Sequence, residues 1–264
     1  MKTVAVVTGA SSGIGTELAR VFARNGHALV LVSRREDRLK ALAAEIGTSG
    51  GMAPLVLPLD LSQHDACAKL ADALAANGLE PQYVINNAGF GQVGDAADSD
   101  RAELLQMVDV NVRALTELSL AFVDSLSRHR GGILNLGSIA GFIPGPSSAV
   151  YYASKAYVVS LGDALYCELK RRGIRVTTLC PGPVLTEFNI RAGFVAHDIP
   201  ILDVSAAKVA ELGYRGLMAG RRIVVPGFGN RLITMLPHMI PRPLLVYLID
   251  RRQRAYPPRR LADT

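Results

Sequence analysis

Tyr151 and Lys155 stand four residues apart in Tyr151-Tyr152-Ala153-Ser154-Lys155, a spacing that on a helix sets two side chains next to each other on one face. The chemistry on offer is proton exchange. A free phenol has a pKa of ~10, which makes it a poor acid or base at neutral pH unless a nearby positive charge favours the phenolate. Lys155 supplies that charge, whereas Tyr152 has only Ala156 four positions on. Such a pair also occurs on ordinary solvated helices, so its meaning depends on the elements that position it.

Those elements read as apolar, β-rich runs alternating with amphipathic stretches, the pattern of a parallel sheet covered by helices on both faces. Strands are predicted near 3–8, 28–33, 54–59, 82–86, 131–137, 174–180 and 222–225, and helices near 13–25, 35–46, 63–77, 99–127, 149–172 and 205–219. Val4-Ala5-Val6-Val7 and Ala28-Leu29-Val30-Leu31-Val32 are apolar throughout, as strands buried on both faces should be. The expected fold class is α/β: a single Rossmann-type doubly wound domain with a seven-stranded parallel sheet, plus a C-terminal helical extension. At 264 residues, with 49% hydrophobic, 20% charged and 6% aromatic residues, the chain suits one aliphatic-cored domain without an internal linker.

The first strand runs into Thr8-Gly9-Ala10-Ser11-Ser12-Gly13-Ile14-Gly15 and then a helix. Three glycines here allow a tight turn and close approach of backbone amides, and the helix start attracts an anion such as a pyrophosphate. The spacing is Gly-x-x-x-Gly-x-Gly rather than Gly-x-Gly-x-x-Gly. Where an acid would bond the ribose hydroxyls of NAD, at the end of the second strand, the chain has Ser33-Arg34-Arg35. Arginine makes bidentate contacts with a 2′-phosphate that an acid would repel, so NADP(H) is favoured over NAD(H). Asp60, in Leu59-Asp60-Leu61, is placed either to accept from an adenine amino group or to cap the following helix.

Taken together, Thr8 to Gly15, Asn86-Asn87-Ala88-Gly89, Asn111, Ser138, Tyr151 with Lys155, and Pro181-Gly182 resemble the short-chain dehydrogenase/reductase family in order and spacing, over about residues 1–190. The resemblance implies a catalytic domain over 1–227 and an NADP-dependent oxidoreductase that moves hydride between a nicotinamide and a carbonyl or alcohol. It implies Tyr151 as the proton donor or acceptor, Lys155 as the group that lowers the phenol pKa and bonds the nicotinamide ribose, and Ser138 as the hydroxyl orienting the reacting oxygen. Asn111 would hold a water linking the lysine to solvent, or act as structural glue inside its helix. Gly9, Ser11, Ser12, Gly13, Ile14 and Gly15 would cradle the cofactor's phosphates, with Arg34 and Arg35 beyond them and Asp60 and Leu61 beside the adenine. Asn87, Ala88 and Gly89 would admit a ribose, while Pro181, Gly182, Val184 and Thr186 would border the nicotinamide. These positions fall at carboxyl ends of strands, where open α/β sheets bind ligands. A cofactor sensor without turnover is the alternative, though it would have no need of the Tyr151 proton donor.

The remaining features narrow the setting. No His or acid is placed by sequence to activate Ser138 as a hydrolase nucleophile. The five histidines lack metal-ligand spacing, and the three widely spaced cysteines suggest neither a disulfide framework nor zinc, so no metal and a reducing cytoplasm are expected. Met1-Lys2-Thr3-Val4-Ala5-Val6-Val7 reads as a strand rather than a leader, and no apolar run approaches the roughly 18 residues needed to span a bilayer. Phe142, Ile143, Phe188, Phe194, Val195 and Ile199 either line an apolar substrate pocket or close over the core.

The net charge of +6 is uneven: residues 212–264 carry ten Arg, no Lys and two acids, giving +8 against −2 for the rest. Within the extension 228–264, two short amphipathic helices are predicted at 231–239 and 243–254, divided by Pro237, Pro241 and Pro243. They would cover the substrate cleft or a subunit interface, rest on an anionic membrane through Arg251, Arg252, Arg254, Arg259 and Arg260, or form a solvated tail. No nucleic-acid motif accompanies the charge. A homodimer or homotetramer built through the helices at 99–127 and 149–172 is what the resemblance implies.

Overall fold

The structure is a computed structural model that describes residues 1–192 and 204–255. Seven strands are described, β1 (Lys2–Thr8), β2 (Leu29–Ser33), β3 (Leu55–Pro58), β4 (Leu79–Asn86), β5 (Gly132–Leu136), β6 (Arg175–Leu179) and β7 (Ile223–Val224). They form one parallel sheet in the order β3-β2-β1-β4-β5-β6-β7. The order reverses direction between β1 and β4, so the loops after these two strands open a crevice at the carboxyl edge, the usual ligand position in doubly wound sheets.

The helices are α1 (Gly13–Arg24), α2 (Glu36–Thr48), α3 (Ala66–Ala76), α4 (Arg101–Val108), α5 (Leu115–Ala121), α6 (Val123–Arg128), α7 (Ala149–Lys170), α8 (Glu187–Ala192), α9 (Ala206–Met218), α10 (Phe228–Met239) and α11 (Arg242–Ala255). β1 shows why the apolar runs matter. Ala5 and Val7 face a core with α1, α2 and α9, whereas Val4 and Val6 face a second core with α3, α5 and α7. Each fully buried Val or Leu contributes about 1.5–3 kcal/mol by leaving water, so this four-residue run secures both layers at once. Local signals set the ends: the Asp100 carboxylate accepts from Ala102 N–H at 2.9 Å at the start of α4, and the Ser205 hydroxyl accepts from Lys208 N–H at 3.3 Å at the start of α9.

Two expectations need correction. The helix expected at 99–127 is not continuous, because a π-helical stretch, Asp109–Ala114, joins α4 to α5, and a break at Phe122 precedes α6. The residue inserted by the wider turn lets Asn111 face inward, where hydrogen bonds beyond the helix hold it. Of the three prolines expected to divide the extension's two helices, Pro241 alone lies between them. Pro237 lies inside α10, and Pro243 lies in the first turn of α11, where a missing N–H removes no intrahelical bond.

Candidate active site

The loop after β1 is tied to the loop after β4. The Thr8 hydroxyl donates to the Ile85 carbonyl at 3.1 Å and accepts from both Asn87 and Ala88 N–H at 3.0 Å. The Asn87 amide donates back to the Thr8 carbonyl at 2.9 Å and the Gly9 carbonyl at 3.2 Å. The glycines are required by this closeness. A Cβ on Gly15 would lie 2.2 Å from the Gly9 carbonyl oxygen and 2.4 Å from Asn87 Nδ2, and Gly9, with φ +64°, would meet Asn87 and Ala88. Gly13, also at positive φ, faces Thr186, which brings the β6 side of the sheet against the first turn.

On the other side of the crevice, Ser138 follows β5 and opens a 3-10 turn, Ile139–Phe142, its hydroxyl accepting from Ala140 N–H at 3.1 Å. The same hydroxyl hydrogen-bonds the Tyr151 phenol in the first turn of α7. Lys155, one turn further on and 4% exposed, donates from Nζ to the Leu136 carbonyl at 2.8 Å, and its Nζ lies 5.9 Å from the centre of the Tyr151 ring. Tyr151 and Lys155 are therefore neighbours on one helix, as their spacing predicts, and Ser138 lies beside them, as the resemblance implies.

Burial pushes the Tyr151 phenol well above its usual range, with the Ser138 hydrogen bond pulling weakly the other way. Burial also draws Lys155 down to about 8. Desolvation opposes both charged forms, and the Lys155 amine donates to a backbone carbonyl. Behind the lysine, burial pushes the Cys180 thiol up to about 12, so it is held neutral.

Asn111 uses its side chain as a clasp. Its Oδ1 accepts from Phe90 N–H at 3.1 Å, and its Nδ2 donates to the Phe90 carbonyl at 2.9 Å and to the Ser154 hydroxyl at 3.1 Å. This pins the Ala88-Gly89-Phe90 loop to the helix that carries Tyr151. A Cβ on Gly89 would come within 2.9 Å of Asn111 Oδ1 and 3.6 Å of Lys155 Nζ, so only glycine fits where loop, clasp and lysine converge. Pro181 accepts from Ile139 N–H at 3.0 Å, Gly182 packs on the buried Asn230, and Val184 is buried beneath Thr186.

A model of the short chain dehydrogenase family matches residues 3–193. Sulfoacetaldehyde reductase 2 of Chromohalobacter salexigens is 37% identical over 193 residues, covering 72% of this chain and 76% of its own length. The chain belongs to the short-chain dehydrogenase/reductase family. Two solved members extend the likeness. A short-chain dehydrogenase from Sphingobium yanoikuyae in complex with NADPH is 30% identical with a TM-score of 0.76, covering 99% of this chain and 98% of that one. One from Burkholderia phymatum in complex with NAD is 26% identical with a TM-score of 0.80, covering 90% and 93%.

The partners of several residues of this short-chain dehydrogenase were not legible in the sequence. Arg35 turns into the first loop, donating to the Ser11 hydroxyl at 3.0 and 3.2 Å, to the Ser12 hydroxyl at 2.8 Å, and to Glu187 at 2.8 Å, while Arg34 is exposed. Arg38 pairs with the same Glu187 carboxylate, and the two guanidiniums hold it below the usual carboxylate range. Arg38 and Glu187 line a cleft of about 300 Å³ with Ser11, Ser12, Gly13, Thr16 and Thr186 among others. The Asp60 carboxylate accepts from Ser62 N–H at 3.0 Å and Ser62 Oγ at 2.9 Å, which closes a local turn; the following helix, α3, has Asp65 at its cap position, so Asp60 does not cap it. Gly91 was also missed, although the run Gly89-Phe90-Gly91 signals it; its Cβ would sit 3.0 Å from the Tyr151 ring and 3.1 Å from Phe188.

Phe188 packs on Tyr151 with ring centres 5.7 Å apart, and with Phe90, Met107 and Tyr152 it forms a small apolar cluster beside the phenol. Phe142 and Ile143 are half-buried nearby, whereas Phe194, Val195 and Ile199 lie outside the described residues. The extension borders this region: α11 reaches Tyr152 through a hydrogen bond with Gln253.

Proposed function

We propose that this short-chain dehydrogenase is an NADP(H)-dependent carbonyl reductase, working in reverse as an alcohol dehydrogenase, on a small apolar substrate. The observation that carries the reading is a buried phenol held by the Ser138 hydroxyl, one helical turn from a buried amine, at the carboxyl edge of the sheet beside a glycine turn with no room for side chains. When bound, the nicotinamide supplies or accepts the hydride. Burial keeps Tyr151 protonated at neutral pH, which is the form that hands a proton to a carbonyl oxygen during reduction. Ser138 orients that oxygen by hydrogen bonding, and the Phe90, Met107 and Phe188 cluster excludes water from the transfer. Lys155 holds the nicotinamide ribose, and Asn111 keeps the loop beneath it in place.

The turn fits a dinucleotide, since Gly9 and Gly15 let it pack against the loop after β4 while Ser11, Ser12 and Gly13, at the start of α1, line the open cleft. Gly9, Ser11, Ser12, Gly13, Ile14 and Gly15 would hold the phosphates, Asp60 and Leu61 the adenine, Asn87, Ala88 and Gly89 a ribose, and Pro181, Gly182, Val184 and Thr186 the nicotinamide. The Sphingobium relative holds NADPH and the Burkholderia relative NAD, so likeness does not choose between them. The preference for NADP(H) rests on Arg35, whose fork is preset by two serine hydroxyls, with Arg34 as a secondary contact. The test is Tyr151→Phe assayed with NADPH against a panel of ketones, aldehydes and 3-oxoacyl thioesters. Reduction should fall by about 10²–10⁴-fold with cofactor binding retained; turnover within a few-fold of wild type would refute the role.

The same proposal includes a cytoplasmic homodimer or homotetramer joined through α4 to α7, where Leu105, Val108, Leu120 and Tyr157 are exposed. The extension 228–264 supports a further reading. Phe228, Leu232, Met235 and Met239 make an exposed apolar stripe along α10, and Leu244, Tyr247 and Leu248 continue it on α11 beside Arg251 and Arg254. Seven Arg against two Asp in this segment would set like charges together in a two-fold contact, which favours an anionic membrane surface over a second copy. Sedimentation with anionic liposomes at low and high salt, against a chain ending at Gly227, tests it; equal recovery of both chains in solution would remove it.

A further inference from the structure

Glu187 is placed to couple the two ends of the cleft. Its carboxylate lies between the guanidiniums of Arg35 and Arg38, at the position an anion would take near the first turn. Its neighbour Phe188 packs against Tyr151 with the rings tilted. Two adjacent residues at the start of α8 thus contact the arginines after β2 and the phenol of α7 at the same time. Arg35 is held independently by the Ser11 and Ser12 hydroxyls, so its fork stays aimed when the carboxylate leaves.

We infer that Glu187 is an internal competitor for the cofactor's 2′-phosphate, and that its displacement by NADPH, but not by NADH, frees the start of α8 and loosens Phe188 from Tyr151. The inference rests on the proposed NADP(H) preference. A phosphate monoester carries a charge of about −1.5 to −2 and three acceptor oxygens near neutral pH, so it outcompetes a carboxylate of charge −1 for two guanidiniums. The carboxylate is half exposed, which keeps the competition weak enough for the cofactor to win. NADH offers only a ribose hydroxyl at that point and leaves Glu187 paired. Cofactor choice is thereby transmitted to the residue packed on the proton donor, with no contact between the phosphate and the substrate side.

The experiment is equilibrium titration of NADPH and of NADH into the full chain carrying no change, Glu187→Gln or Arg35→Ala, with hydrogen exchange of residues 187–192 followed in parallel. Glu187→Gln should tighten NADPH by roughly 2- to 20-fold, the range for losing two exposed ion pairs, and leave NADH within about twofold. Exchange over 187–192 should rise on adding NADPH to the wild type, stay unchanged with NADH, and already be raised in Glu187→Gln without cofactor. If Arg35→Ala weakens NADPH selectively while Glu187→Gln alters neither affinity nor exchange, the competitor role is wrong and the cofactor preference survives. If Arg35→Ala weakens both dinucleotides equally, the phosphate contact itself is wrong and the coupling fails with it.

Discussion

Lys155 offers a test of the site that needs neither cofactor nor substrate. Burial brings its amine from an ordinary 10.5 down to about 8, a difference worth about 3 kcal/mol between the charged and neutral forms. Between those two values the unfolded chain holds a proton that the folded chain has released, so stability rises with pH across the window. Below pH 8 both states are protonated, and the full cost of enclosing the ammonium is present. Lys155→Met keeps an unbranched side chain of similar length but does not titrate. Urea denaturation of both proteins from pH 7 to 10 isolates the effect, because all other titrations cancel in the difference. The variant should have its greatest relative stability near pH 7 and lose most of that 3 kcal/mol by pH 10. The lost hydrogen bond to the Leu136 carbonyl offsets the difference equally at every pH. A difference that stays constant with pH would show that the amine is not buried as described, and the assignment of Lys155 as a desolvated neighbour of Tyr151 would fall.

Two further perturbations probe the frame around the chemistry. Gly15→Ala puts a methyl 2.2 Å from a backbone oxygen and 2.4 Å from a fixed amide, so it should destabilise by about 3 kcal/mol and abolish dinucleotide binding, as read by denaturation and titration; wild-type values for both would contradict the packing of the first turn. Asn111→Ala leaves the buried Phe90 N–H and carbonyl without their partners and should cost about 2–4 kcal/mol, with Asn111→Asp intermediate because it keeps only the acceptor. Equal stability of the two variants would argue against the clasp.

The sheet, the glycine turn and the pairing of Tyr151 with Lys155 were legible from the chain because each depends on local rules. Strands buried on both faces must be apolar throughout, a turn without room for Cβ atoms must be glycine, and residues four apart on a helix must be neighbours. Other features depended on where distant segments met. That Arg35 turns into the first loop follows from Ser11, Ser12 and Glu187, and the last of these lies 152 positions away along the chain. The proton affinity of Tyr151 follows from how completely the surrounding layers exclude water, and the direction of the Lys155 amine from the carbonyl that β5 happens to present. Periodicity also could not reveal the π-helical turn at 109–114, since it takes the Phe90 backbone, 21 residues earlier, to draw Asn111 inward. Sequence thus determined which groups are present and in what order, because those are consequences of nearest neighbours. Tertiary structure decided their proton affinities and partners, because desolvation and ion pairing are properties of the assembled crevice and not of any segment that lines it.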